Sequence, residues 1–231
     1  MGLNLEFMKH TFMLALFGVP VTLKITMVAL AIALPMGFFL ALTKIYNRKI
    51  SGAFSTLYVS FVRGTPMVLQ VLIIYSLLPS VLNQILKSAG SSVNIFDLDP
   101  IMYAYVVFSL NTAAILAEVF RSALQTVNTG QLEAAHSAGL STFHAFKRIL
   151  VPQALVVAMP NICNATINLI KGSSLAFLMT VKDITAIAKI EAAYGYNYIE
   201  AYLDIFLIYL ILCASIQLLF GWLEKKLGVY R

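Results

Sequence analysis

Five apolar runs, each near or beyond the length that crosses a bilayer, constrain this chain more than any other feature. A helix rises 1.5 Å per residue, so about 20 apolar residues span roughly 30 Å of hydrocarbon. The runs cover about residues 18–43, 53–79, 101–127, 152–170 and 201–223. The second is interrupted near its start by Arg63-Gly64-Thr65-Pro66, and the short fourth contains Pro160. Residues of the AVILMFWYC set make up 60% of the 231 positions and charged residues 11%, against about 45–50% and 25% in soluble domains. A water-soluble globule is therefore excluded, because one core could not hide that much apolar surface. The opening MGLNLEFMKH has no compact basic segment, and the first run is too long for a signal h-region, so the first helix is expected to stay in the mature protein. The expected fold class is an all-α integral membrane protein: five transmembrane helices in a single domain over 1–231.

Orientation follows from the placement of Lys and Arg. Five spans put Lys44, Arg48, Lys49, Arg63, Arg121, Lys147, Arg148, Lys225, Lys226 and Arg231 on one side, against Lys9, Lys24, Lys87, Lys182 and Lys189 on the other. The acidic residues Glu6, Asp97, Asp99, Asp183, Glu191, Glu200 and Asp204 fall on the basic-poor side. By the positive-inside rule the N-terminus is outside, and the C-terminus and the Arg121–Val151 connection are cytoplasmic. The net charge of +6 thus reports topology, and no nucleic-acid partner is expected. Cys163 and Cys213 sit in apolar runs without a CxxC pair or a nearby His, which reads as packing rather than metal or redox chemistry. No metal site is expected. An apolar periodicity at Val181, Ile184, Ile187, Ala188 and Ile190 predicts an external interfacial helix over about 181–193.

Residues of about 129–151 form a cytoplasmic loop of different character, TGQLEAAHSAGLSTFHAFKRILV. Gln131 to His136 favour helix, Gly139 suits a C-terminal turn, and Ser141 can cap a second short helix. Small residues at Ala134, Ala135, Ala138 and Gly139 would let a partner approach closely, and Glu133 offers a fixed charge. Composition alone leaves a docking helix and an ordinarily capped surface loop both open.

Spacing narrows the choice. Glu133-Ala134-Ala135, then Gly139, Ile149, Val151 and Pro152, is similar to the EAA loop of ATP-binding-cassette importer permeases, which usually carry Leu where this chain has Val151. Arg63-Gly64-Thr65-Pro66, the run Asn111 to Arg121, Gly130-Gln131, Pro152-Gln153-Ala154 and Lys171-Gly172-Ser173-Ser174-Leu175 resemble the polar amino acid permeases in the same order. That resemblance implies a type I importer permease fold in a bacterial inner membrane. It implies a second permease chain, identical or a sister, and an extracytoplasmic binding protein. It also implies that Gly130, Glu133, Ala134, Ala135 and Gly139 couple to a separate ATPase subunit, which would hold the ATP and Mg. The chain has no GxxxxGK[ST] loop of its own, so it is read as a transport subunit rather than an enzyme, with no cofactor. Ile115 stands where relatives often carry Tyr, which removes a hydroxyl from that run.

Polar groups at membrane depth are expensive unless paired or facing water, and so mark a substrate path. Asn161, Asn164, Asn168 and Lys171 repeat at i, i+3, i+7 and i+10, and stay within roughly 80° of one another on a helix. Asn111 shares a face with Glu118, with Thr112 beside it. Met67 and Gln70, one turn beyond Pro66, are further candidates. Amides can clamp the ammonium and carboxylate of an amino acid, and Lys171 could answer a carboxylate. The alternative for all of these is interhelical hydrogen bonding, and Glu118 with Arg121 at i+3 reads as a structural ion pair. An ATP-independent secondary transporter or channel is the competing function, although such carriers often have inverted repeats and more spans.

Overall fold

A computed structural model describes residues 3–46 and 50–227. Among them every regular element is helical. Arg48, Lys49 and Arg231, used above for orientation, lie outside the described residues. Among the described residues, five stretches are long and apolar enough to cross a membrane: Leu5–Ile45, Met67–Ser88, Ile101–Thr126, Thr142–Met179 and Tyr198–Lys226.

The first stretch starts well before the expected residue 18. Helix α1 (Leu5–Ala15) runs through a 3-10 turn (Leu16–Gly18) into α2 (Val19–Ile45). Residues 5–17 mix polar and apolar types, which hides them from a hydropathy reading, but Asn4 caps the helix by accepting from the Phe7 amide at 3.0 Å. Pro20 falls in the first turn of α2, where a missing N–H costs nothing. A Cβ at Gly18 would press on the Ile184 amide nitrogen and lie 2.5 Å from the Asp183 carbonyl carbon, so only glycine lets this turn meet the backbone of the later helix α9.

The second run splits. Thr65 precedes a proline and is extended (φ −116°, ψ 142°), as the Pro ring demands of its predecessor, so α3 (Ser51–Gly64) stops and α4 (Met67–Ser88) begins. Helix α4 continues past the expected residue 79 because Leu82 and Leu86 pack onto the core and Asn83 accepts from the Ile95 amide at 3.4 Å.

Helix α5 (Ile101–Thr126) is the central post, packed along α2 on one side and α8 on the other. Its Ala113, Ala114 and Ala117 are fully buried, and a Cβ at Gly37 of α2 would come within 2.9 Å of Leu116 Cβ. Small residues bring the two backbones together, the usual means of helix association in lipid.

After α5 come α6 (Thr129–Ser137) and α7 (Thr142–Ala145), then a π turn (Phe146–Leu150), α8 (Val151–Gly172) and a 3-10 segment (Ser173–Met179). The Val151 amide reaches back to the Phe146 carbonyl. Such a wide turn suits the position just before Pro152, whose ring crowds the carbonyl four residues earlier and offers no N–H. Helix α9 (Ile184–Gly195) sits close to the expected 181–193, and α10 (Tyr198–Leu227) extends the fifth run at both ends. Helix α9 buries Ile184, Ala188 and Ala192 against Ala15 of α1 and Ala201 and Ile208 of α10.

Coverage is uneven. The α5 window is 61% buried, that of α4 17% and that of α10 11%. Helices α4 and α10 therefore present wide apolar faces, such as Leu69, Ile73 and Leu77 on one and Leu210, Ile211 and Leu218 on the other, to lipid or to another chain.

Candidate functional site

The loop between α5 and α8 is built from local hydrogen bonds. Asn128 caps α6 by accepting from the Gly130 amide at 2.8 Å. At the other end Gly139 adopts φ +82°. The Gly139 amide donates to the His136 carbonyl at 2.9 Å and the Leu140 amide to the Ala135 carbonyl at 3.0 Å, the paired bonds of a Schellman closure. Ser141 then caps α7, its hydroxyl 2.8 Å from His144 Nδ1. Gln153 of α8 donates to Gln131 Oε1 at 2.6 Å and to the Ile149 carbonyl at 3.0 Å, which ties α6 to the start of the fourth span.

Gly130, Glu133, Ala134 and Gly139 are exposed on this loop. Ala135 is not. It is 4% exposed, so it packs inside the protein instead of offering surface to a partner.

The proposed path residues separate into three groups. Asn161, Asn164, Asn168 and Lys171 are all exposed along α8. A neighbouring face of α8, about 100° round the helix, buries Ala154, Ala158, Ile162, Ala165 and Leu169, largely against α5. Met67 flanks the stripe on one side, its Sδ only 3.1 Å from a Cβ placed at Gly172. Helix α10 flanks it on the other, where Pro160, Cys163 and Asn164 face Gln217, Gly221 and Glu224 across a cleft of about 330 Å³. At about 100° per residue, the stripe therefore opens between α4 and α10, the two spans with the least covering.

Gln70 and Asn111 belong together but act first on the backbone. Gln70 Nε2 donates to the Val62 carbonyl at 2.8 Å, to the Thr65 carbonyl at 3.1 Å and to Thr65 Oγ1 at 2.8 Å, while Gln70 Oε1 accepts from Asn111 Nδ2 at 2.9 Å. This clamp satisfies carbonyls freed by the break at Pro66. Thr112 leaves the path: it is 2% exposed and points into the packed side of α5.

Glu118 accepts from Arg121 Nε at 2.8 Å and also from Lys44 of α2, an ion cluster extended by Arg121 Nη1 to Gln125 at 2.7 Å. Lys44 lies 74 residues from Glu118, beyond any local pattern. Gln217 and Glu224 were also missed by sequence reasoning, although their i, i+7 spacing equals that of Asn111 and Glu118 and is the signal that would have found them.

At the end away from the loop, Asp183 is fully buried. It caps α9 by accepting from the Ala186 amide at 2.8 Å, and Tyr209 OH donates to its other oxygen at 3.3 Å. Burial pushes its carboxyl up to about 6, outweighing the hydrogen bonds that favour the anion.

Residues 33–229 match the family model described as binding-protein-dependent transport system inner membrane component. The chain belongs to this family. Among its curated relatives, the L-cystine transport system permease protein TcyL of Bacillus subtilis is 35% identical over 208 residues, covering 90% of this chain and 84% of that one. The octopine transport system permease protein OccM of Rhizobium radiobacter is 33% identical, over 96% of this chain and 89% of its own. A solved amino acid ABC transporter with histidines superposes with TM-score 0.80 at 30% identity, over 98% of this chain and 100% of that chain. The MetNI methionine ABC transporter in an inward-facing form shares the fold at TM-score 0.71 and 21% identity, over 93% and 96% of the two chains. This permease is thus a multi-pass inner membrane subunit of an ABC importer with the type I fold.

Proposed function

We propose that this permease carries a polar amino acid, or a close relative such as cystine, along a path lined by Asn161, Asn164, Asn168 and Lys171, with Asn111, Met67 and Gln70 at its flank. The observation that carries the reading is the exposed polar stripe on α8, continuous with the loop that bears Glu133 and Gly139. Four polar side chains held open at membrane depth in one protomer need water, a solute or a second chain as partner. Relatives named for L-cystine and octopine transport support an amino acid cargo.

The mechanism is the one that membership of the importer permease family implies. The loop end faces the cytoplasm, with the N-terminus outside, and α6 seats on a separate ATPase subunit that holds ATP and Mg. Gly130, Glu133, Ala134 and Gly139 make the contact. ATP-driven approach of two ATPase subunits draws two such loops together and tips a pair of permease chains from inward-facing to outward-facing. An extracytoplasmic binding protein then releases its cargo between them. Asn164 shares its cleft with Gln217 and Glu224, which extends the path toward the loop end.

The test is to purify the tagged chain gently, identify its companions by mass spectrometry and measure ATP-dependent uptake of a panel of amino acids by the reconstituted complex. An ATPase with a P-loop and a binding protein are expected. Asn168→Leu should lower uptake and leave ATPase association intact; unchanged uptake removes the stripe from the path. Uptake without nucleotide would instead point to a secondary carrier.

A further inference from the structure

At the end of the bundle away from the loop, Asp183 is a buried carboxyl group with no cationic side chain beside it. The salt bridges among the described residues are Lys44–Glu118 and Arg121–Glu118, and the neighbouring Lys182 is exposed. A buried carboxylate is paired, coordinates a metal ion or is neutralised by a proton. The two oxygens of Asp183 have different surroundings. Oδ1 caps α9 through the Ala186 amide, and Oδ2 meets the Tyr209 hydroxyl at 3.3 Å. That spacing is long for a hydroxyl on a carboxylate, where about 2.5–2.7 Å is usual.

Three more hydroxyls gather around the Tyr209 oxygen, those of Thr22 in α2, Ser173 after α8 and Thr185 in α9. Gly18 brings the start of α2 onto the Asp183 and Ile184 backbone, and Thr22 follows one turn later. Thr22 and Ser173 are fully buried and Thr185 is 8% exposed. Thr22 Oγ1 and Thr185 Oγ1 nevertheless have no hydrogen-bond partner. Other buried helical threonines do: Thr26 and Thr166 donate to the carbonyl four residues back at 2.8 Å. Ser173 donates its proton to the Ile170 carbonyl at 2.7 Å, which leaves its lone pairs free.

The cluster thus combines oxygen lone pairs on four hydroxyls and one carboxylate with no positive side chain. A cation held by oxygens at about 2.3–2.6 Å keeps adjacent ligands roughly 3.3–3.7 Å apart. The Asp183–Tyr209 pair has that spacing, too wide for a good hydrogen bond. One carboxylate among neutral hydroxyls carries too little charge for tight calcium binding, and it lacks the nitrogen or sulfur that transition metals select. We propose that Asp183, Tyr209, Thr22, Thr185 and Ser173 form a site for a monovalent cation of sodium's size, which ties α9 to α2, α10 and the end of α8. The inference stands independently of the amino acid cargo.

The experiment is hydrogen–deuterium exchange of the purified complex, read over Ile184–Gly195, in sodium chloride or in choline chloride of equal ionic strength. Sodium at about ten times its Kd should slow exchange of the α9 amides about tenfold relative to choline. Thr22→Val keeps the shape and removes an unpartnered hydroxyl, so its exchange in choline should match the wild type while the sodium effect disappears. Asp183→Asn keeps the capping acceptor and should also lose the sodium response, whereas Thr22→Ser should retain it. Equal exchange of the wild type in the two salts overturns the proposal and leaves a proton as the partner of Asp183. Sodium protection that survives Thr22→Val or Asp183→Asn overturns it too. So does faster exchange of Thr22→Val in both salts alike, which would make that hydroxyl a hydrogen-bond partner of the protein itself.

Discussion

Substitution at Gly139 separates conformation from bulk as the basis of coupling. Gly139 is held at φ +82°, yet a Cβ built there meets nothing within 4 Å. Any penalty is therefore in the backbone. An L-residue in the left-handed region costs roughly 1–2 kcal/mol, least for Asn and most for β-branched residues. Loss of that conformation would also open the bonds from Gly139 to His136 and from Leu140 to Ala135, which close a nine-residue helix too short to persist alone. At tenfold per 1.4 kcal/mol, Gly139→Ala should weaken seating of α6 on the ATPase subunit by about 5- to 30-fold. Gly139→Asn should stay near the wild type, and Gly139→Val should exceed the alanine effect and uncouple transport from ATP hydrolysis. The assay is affinity of the ATPase subunit for the purified permease, together with uptake per ATP in proteoliposomes. A ranking by side-chain volume, with Asn as harmful as Val, refutes the argument, as does a valine variant that couples normally.

Two further substitutions probe the scaffold. The Asp183 carboxyl moves from 3.8 to about 6 in the folded chain. Because the folded value is the higher, its contribution to stability is full below about 3.8 and is lost as pH rises through about 6. The melting temperature of the purified permease should therefore fall across that window relative to Asp183→Asn, which keeps the capping acceptor for Ala186 and should be at least as stable near neutral pH. Parallel curves for the two proteins would show that the carboxyl is not held in a dry site. Gln70→Leu removes the donor shared by the Val62 and Thr65 carbonyls and should cost about 1–3 kcal/mol, read as a lower melting temperature in detergent; an unchanged value would mean that water replaces the amide.

What the sequence made legible follows its periodicities. The five apolar runs were visible because apolar residues dominate each of them even where Arg63-Gly64-Thr65-Pro66 or Pro160 interrupts, and the Gly139 turn because only a few residues tolerate that backbone. The α8 stripe was visible because amides stand out against apolar neighbours at helical spacing. What stayed hidden depended on contacts between distant segments. Residues 5–17 carry no uniform apolar signal and are helical because Asn4 caps them and α9 and α10 receive their inner face. Ala134 and Ala135 have the same composition and spacing value; only the phase of α6 makes one exposed and the other buried. Thr112 was adjacent to Asn111 but about 100° away, enough to turn it into the core. Lys44 reaches Glu118 across 74 residues, a pairing that no local pattern encodes.

The same helix connects the loop to the stripe, and this determines how motion can pass between them. From Thr142 to Met179 the chain is one continuous helical stretch, carrying Asn161, Asn164, Asn168 and Lys171 rigidly with it. Gln153 fixes its start to α6 through Gln131. A displacement of α6 therefore reaches the stripe as a tilt of α8, unless it is absorbed at the one place where the hydrogen-bond ladder is widened, the π turn at Phe146–Leu150. Alanine or leucine in place of Pro152 removes the ring that favours that turn. If the turn serves as the compliant joint, Pro152→Ala should leave the ATPase bound while changing uptake per ATP; if uptake per ATP is unaltered, α8 and α6 move as one body and the joint lies outside this stretch.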